Sequence, residues 1–253
     1  MDKCVDLLRY RSKIVKEVQL RFSELSSIAN DAEIIKYSTP ISGIGKFCPS
    51  LINYKIHPNR KCGRLLNSKP NSECYVKYYI SKSGQPLRIC KFNQYGCDSS
   101  TYFYKDNEYV CAVPLFRETT DDYGRNIYIY KITDGQIAEY AEIDASSVYL
   151  EEYDYSNPDM VVCYMYEYYN SDFYFRDNTL PPEDLNDFYS FLGRNINKRM
   201  KHNTDGKEIN FSHSSTAAVR INKWKYEIIK NDNVININEF IFRNDQWLFN
   251  RNV

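Results

Sequence analysis

Carboxylates are the side chains in this sequence with the densest chemical potential. Glu151, Glu152 and Asp154 stand almost side by side, and Glu183-Asp184 follow. Paired carboxylates serve general acid–base hydrolysis or hold the divalent metal of a nuclease. On a strand, neighbours point to opposite faces, so Glu151 and Glu152 cannot serve one substrate, whereas Glu152 and Asp154 can. Imidazoles are scarce: His57, His202 and His213 are the full set. His57, Cys62 and Cys74 lack the CxxC or HxxxH spacing that pre-forms a chelate. Cys111 and His213 make a nucleophile pair only if the fold brings them together. Gly43-Ile44-Gly45-Lys46 has the wrong spacing for a phosphate loop, and GxGxxG does not occur. No catalytic signature, metal site or cofactor motif results, and none is expected.

The strongest signal is charge sorted along the chain. Residues 132–192 hold fourteen acidic side chains and one basic one, Arg176, in a protein of zero formal net charge. Rings are interleaved with these acids. Within this stretch Glu151, Glu152, Tyr153, Asp154, Tyr155, Tyr164, Tyr166, Glu167, Tyr168 and Asp172 form the candidate partner-binding set. Tyrosines supply rigid amphipathic contact area, and acids around them steer a basic partner and fix its register. The competing account is structural: acids keep a half-buried tyrosine sheet soluble and guard its edges. Residues 34–72 are the counterweight, with seven basic residues and no acidic one. Arg60, Lys61, Arg64 and Lys69 beside Phe47 and Tyr54 could follow a phosphate backbone, but the acidic block would repel a polyanion, so nucleic acid is disfavoured.

The elements that would position these residues read as α+β. Residues 2–29 form an amphipathic helix with Leu8, Val15 and Phe22 on one stripe, Val18 and Leu25 beside it, and Arg11 interrupting. Residues 34–72, cut by Pro40, Pro49, Pro58 and Pro70, read as irregular. From 75 to 175 the period switches to two, in four hairpins that turn at Ser83-Gly84, Asp106-Asn107, Asp134-Gly135 and Asn157-Pro158. A second helix is expected over 179–201, with Thr179 as cap and Pro181 and Pro182 in its first turn. Strands follow at 217–221, 224–229, 234–242 and 247–249. The expectation is one domain, 1–253, in which a meandering antiparallel sheet packs against the two helices; its sub-divisions are 1–74, 75–178 and 179–253.

At 253 residues the chain can bury a core without staples. The charged amino-terminal residues do not read as a secretory signal and no apolar run spans a membrane, so a cytoplasmic protein with reduced cysteines is expected. The tyrosine-rich hairpin sheet, the SKSGQ and TDGQ turns at 81–85 and 133–136, the one-sided acidity and the missing catalytic residues together resemble bacterial immunity proteins. Those proteins neutralise toxin domains of polymorphic and contact-dependent inhibition systems. The resemblance implies a non-catalytic inhibitor that blocks a basic toxin, often a nuclease, by stoichiometric binding. The alternative is a carboxylate-dependent hydrolase or nuclease with a cleft between the sheet and the second helix. Partner identity and oligomeric state stay open.

Overall fold

The computed structural model describes residues 2–41, 43–52, 64–116, 126–144, 146–170, 219–231 and 234–252. They belong to a compact unit of Met1–Tyr169 with Arg220–Val253; a second unit, Asn170–Val219, lies almost wholly outside them. The helix expected over 179–201, Asp172 and all three histidines are likewise outside the described residues.

Twelve strands form one open sheet in sequence order. They are β1 (Ile34–Ser38), β2 (Tyr75–Ile80), β3 (Pro86–Asn93), β4 (Gly96–Asp106), β5 (Tyr109–Phe116), β6 (Ile127–Thr133), β7 (Gln136–Ile143), β8 (Ser147–Asn157), β9 (Met160–Asn170), β10 (Val219–Asn231), β11 (Val234–Arg243) and β12 (Gln246–Asn252). The registers of the first nine and of the last three are antiparallel throughout. All four hairpins expected between 75 and 175 are present. Their turns explain why: Asp134 and Gly135 sit at φ 52° and 76°, the left-handed pair that matches the twist of two strands joined by two residues. Asn244 and Asp245 repeat this at φ 49° and 59° without glycine, as short polar side chains tolerate. The strands expected at 217–221 and 224–229 are one continuous strand, β10.

Two expectations need correction. The amino-terminal helix is divided into α1 (Asp2–Leu20) and α2 (Phe22–Asn30), because Arg21 leaves helical geometry at φ −99°, ψ 10°. Hydrogen bonding continues through the bend: Arg21 N–H donates to Glu17 O and Leu25 N–H to Arg21 O. The bend lets α1 lie over β5, β7 and β8 while α2 lies over β2 and β3. The stripe is Cys4, Leu7, Leu8, Arg11, Ile14, Val18, Leu25 and Ala29, all buried, with Val15 and Phe22 only half-buried. The basic segment is also less irregular than its prolines suggest. It contains edge strand β1, whose Tyr37 exchanges both backbone hydrogen bonds with Leu66, and a 3-10 turn at Gly45–Phe47. Pairing part of a sheet edge in this way shields it.

Each face of the sheet carries packed chain over part of its first nine strands. The helices cover one. Across the other runs the connection from β1 to β2, which seats Ile44 among Val76, Tyr78, Ile89, Phe103 and Ala112, and Ile52 among Val161, Cys163, Met165 and Ile228. Gly45 (φ 55°) allows that path, since a Cβ there would lie 2.0 Å from Ile41 Cδ1. Among the described residues no helix is long and apolar enough to cross a membrane.

Candidate functional site

Strands β8 and β9 carry nine of the ten residues expected to bind a partner, and their register divides the set. Leu150 opposes Tyr166, Glu152 opposes Tyr164 and Val148 opposes Tyr168. That face is the one under α1, since Lys3 bonds Glu152. Glu152, Asp154, Tyr164, Tyr166 and Tyr168 therefore share the helix side. Glu151, opposite Met165, and Tyr153, opposite Cys163, point the other way with Tyr155 and Glu167. One continuous surface made of all ten does not exist. Glu151 (0 % exposed) and Tyr168 (3 %) are inside the protein, so a partner docking on this fold touches neither.

The far side holds the most unusual group in the structure. The Glu151 carboxylate accepts hydrogen bonds from Ser50 Oγ (2.7 Å), Tyr149 Oη (2.6 Å) and Tyr153 Oη. Burial raises its pKa to about 7 in spite of these three donors, which act to lower it. Leu51 N–H donates to Tyr153 Oη at 2.9 Å, so the β1–β2 connection is fastened to the hairpin at two consecutive residues. One strand away, Tyr140 Oη donates to Glu142 Oε1 at 2.8 Å. Cys48 lies beside Tyr140, and burial pushes its thiol up to about 11. A carboxyl that titrates near neutrality is what acid–base catalysis asks for. Glu151 is sealed from substrate, however, and its three donors come from the protein itself. Its visible work is to hold the connection on the sheet.

On the helix side the acids are largely spoken for. Lys3 Nζ bridges Glu139 and Glu152, each at 2.5 Å. Burial acts to lower the Lys3 pKa, but hydrogen bonds to the two carboxylates hold it above the usual lysine range. Asp154 accepts the Ser156 N–H at 2.9 Å as a turn cap, which draws its pKa down. Tyr10 Oη and Lys13 Nζ both donate to Asp106, at 2.7 and 3.1 Å, and further anchor α1.

Beyond the helices the same face carries rings. Tyr164 lies 6.1 Å from Trp247, Trp247 5.0 Å from Phe242, and Phe240 5.7 Å from Phe249. Lys223 and Lys225 sit over Phe242 and Phe240, at 5.1 and 4.2 Å from the ring centres. The row ends on β12, the last strand of the sheet, where Phe249 is 57 % exposed. This ladder was absent from the sequence expectations. Its signal was the alternation of Phe240 and Phe242 on one strand with Trp247 and Phe249 on the next.

Among the described residues the cysteines and carboxylates form no second centre. Among the described residues no group of three or more His, Cys, Asp or Glu is placed to hold a metal ion. Burial pushes the Cys111 thiol up to about 12, away from the thiolate a nucleophile requires. Gly43 and Gly45 bracket the buried Ile44 and place it in the core. The fold and site thus define an α+β protein with an open antiparallel meander, a carboxylate network on each face and, among the described residues, a partly exposed aromatic edge. Comparison with protein families, curated proteins and solved structures finds no match.

Proposed function

We propose that this protein is a non-catalytic protein-binding protein, an inhibitor in the manner of an immunity protein, which engages a basic partner such as a toxin or nuclease domain through the helix side of β8–β12. The observation that carries the proposal is the ring ladder Tyr164–Trp247–Phe242 with Phe240–Phe249 on an open sheet edge. Clustered aromatics that are rigid, partly exposed and backed by a sheet are the usual anchors of an interface. Asp154 and Glu152 lie beside the Tyr164 end of the ladder, and Lys223 and Lys225 sit over its Phe242 and Phe240 rings. That gives the surface a direction, and a partner with a basic group against Asp154 docks in one register. Glu151 and Tyr168 take no part.

The test is affinity capture from the native host at low salt, using the wild-type chain, Trp247→Ala and Asp154→Lys. A basic protein held at one-to-one stoichiometry by the wild type and released by both substitutions supports the proposal. An identical set of captured proteins for all three overturns the named surface. The hydrolase alternative draws no support from Glu151, which is enclosed, or from Glu139 and Glu152, which share one lysine.

A further inference from the structure

A second feature, independent of the ring ladder, lies where β3 meets β4. Lys91 pairs with Ser99 but Phe92 pairs with Cys97, so Asp98 is an extra residue in β4 and the ladder is bulged there. A bulge re-aims side chains. Here it turns Cys97 onto the face of Ser100, three residues on, whose cross-strand partner is Cys90. Ser100 Oγ lies 3.5 Å from Cys90 Sγ and 3.6 Å from Cys97 Sγ, so one hydroxyl touches both thiols. Arg88 Nη2 donates to the same hydroxyl at 2.9 Å, which leaves the Ser100 hydrogen to serve a sulfur.

The two thiols differ in access. Cys90 is buried at 1 % exposure, while Cys97 is half-exposed and lines a surface cavity of about 390 Å³ with Asn93, Tyr95 and Asp98. Buried thiols are inert and accessible ones with a thiol neighbour are oxidised first. The neighbouring Cys97 thiol and burial raise the Cys90 pKa, which keeps the buried thiol protonated in the reduced protein. Asp98 on the cavity wall disfavours an anionic oxidant.

We propose that Cys97 and Cys90 are a redox pair, an accessible thiol and a buried resolving thiol that small neutral hydroperoxides convert to a cross-strand disulfide. The Cys97 sulfur attacks one peroxide oxygen, the O–O bond breaks, and the released hydroxide takes the Cys97 thiol proton to leave as water. Cys97 is then a sulfenic acid. The Cys90 sulfur attacks the Cys97 sulfur, the S–O bond breaks, and the departing hydroxide takes the Cys90 proton. In sum two thiols lose two electrons and one hydrogen peroxide becomes two waters. Ser100, in contact with both sulfurs, is placed to pass the proton.

The experiment treats the reduced full chain with one equivalent of hydrogen peroxide, blocks remaining thiols and digests with trypsin without reduction. Cys90 falls in residues 89–91 and Cys97 in residues 92–105, so the disulfide appears as one linked peptide pair. Expected are that pair as the dominant oxidised species, reversal by a dithiol, and Cys97 loss at least about tenfold faster than loss of the exposed Cys74. Cys90→Ser should stop at the Cys97 sulfenic acid, captured by dimedone. Equal oxidation of Cys97 and Cys74 in the wild type, or disulfides scattered over other cysteines, overturns the proposal without recourse to any variant.

Discussion

Ser50 Oγ donates a 2.7 Å hydrogen bond to Glu151 Oε1 across 101 residues of sequence. With Leu51 N–H on Tyr153 Oη it fixes the β1–β2 connection to the middle of the sheet. Because the fold holds the Glu151 proton more tightly than the unfolded chain does, with a pKa near 7 against 4.5, the stability this group contributes is fully present below about pH 4.5 and is lost as pH rises through 7. The difference corresponds to about 3 kcal/mol. Glu151→Gln mimics the protonated form. Urea titrations from pH 5 to 8 should therefore show the wild type losing stability relative to Glu151→Gln by that order. Parallel curves for the two proteins would show that the carboxyl stays ionised throughout.

Lys3 answers two carboxylates that face each other across strands, Glu139 on β7 and Glu152 on β8. Like charges directly opposite in a sheet repel. Lys3→Ala leaves them facing without their shared cation, and a loss of roughly 1 kcal/mol is expected, modest because Lys3 and Glu152 are both partly exposed. Adding Glu152→Gln should return most of that loss, since one charge of the repelling pair is gone. The double-mutant cycle in urea is the measurement, and simple additivity of the two changes would refute the coupling.

Tyr104 supplies a test of opposite sign. Its hydroxyl is buried with no hydrogen-bond partner among the described residues, while its ring lies under the Arg21 guanidinium at 5.7 Å. A buried unsatisfied hydroxyl costs more than it returns. Tyr104→Phe keeps the ring and the cation contact and removes the hydroxyl, so it should leave stability unchanged or raise it by up to about 1 kcal/mol. A thermal melt that drops by several degrees would mean the oxygen has a partner.

Most strands and their faces were legible in the sequence because each is a local property, whereas β1 lay in the proline-cut segment that reads as irregular. Period two placed Tyr164, Tyr166 and Tyr168 opposite Cys163, Met165 and Glu167, and Asp134-Gly135 marked its hairpin. What failed to show was pairing at a distance. Counting acids over 132–192 treats Glu151, Glu152 and Asp154 alike, yet the first is buried under three hydroxyls, the second is bound by a lysine 149 residues away, and the third caps a turn. Charge density in a sequence says nothing of which charges meet solvent. The bulge at Asp98 hid residues 96–100 from the strand pattern for a related reason: an extra residue breaks the alternation on which the strand is recognised.

Phe249 separates binding from folding more cleanly than any other position. Its ring is 57 % exposed on the last strand and touches Phe240 edge to face. Phe249→Ser should cost under about 1 kcal/mol of stability, since little apolar area returns to water. The same change removes an anchor at the rim of the ladder, and loss of an interface aromatic weakens a complex by about 2 kcal/mol, some thirtyfold in affinity. Trp247→Ala goes further because Trp247 contacts both Tyr164 and Phe242, and it should abolish capture while the chain stays folded by circular dichroism. If both variants retain the captured partner at wild-type affinity, the ladder is a solvent-facing ornament of the sheet and the binding surface lies elsewhere.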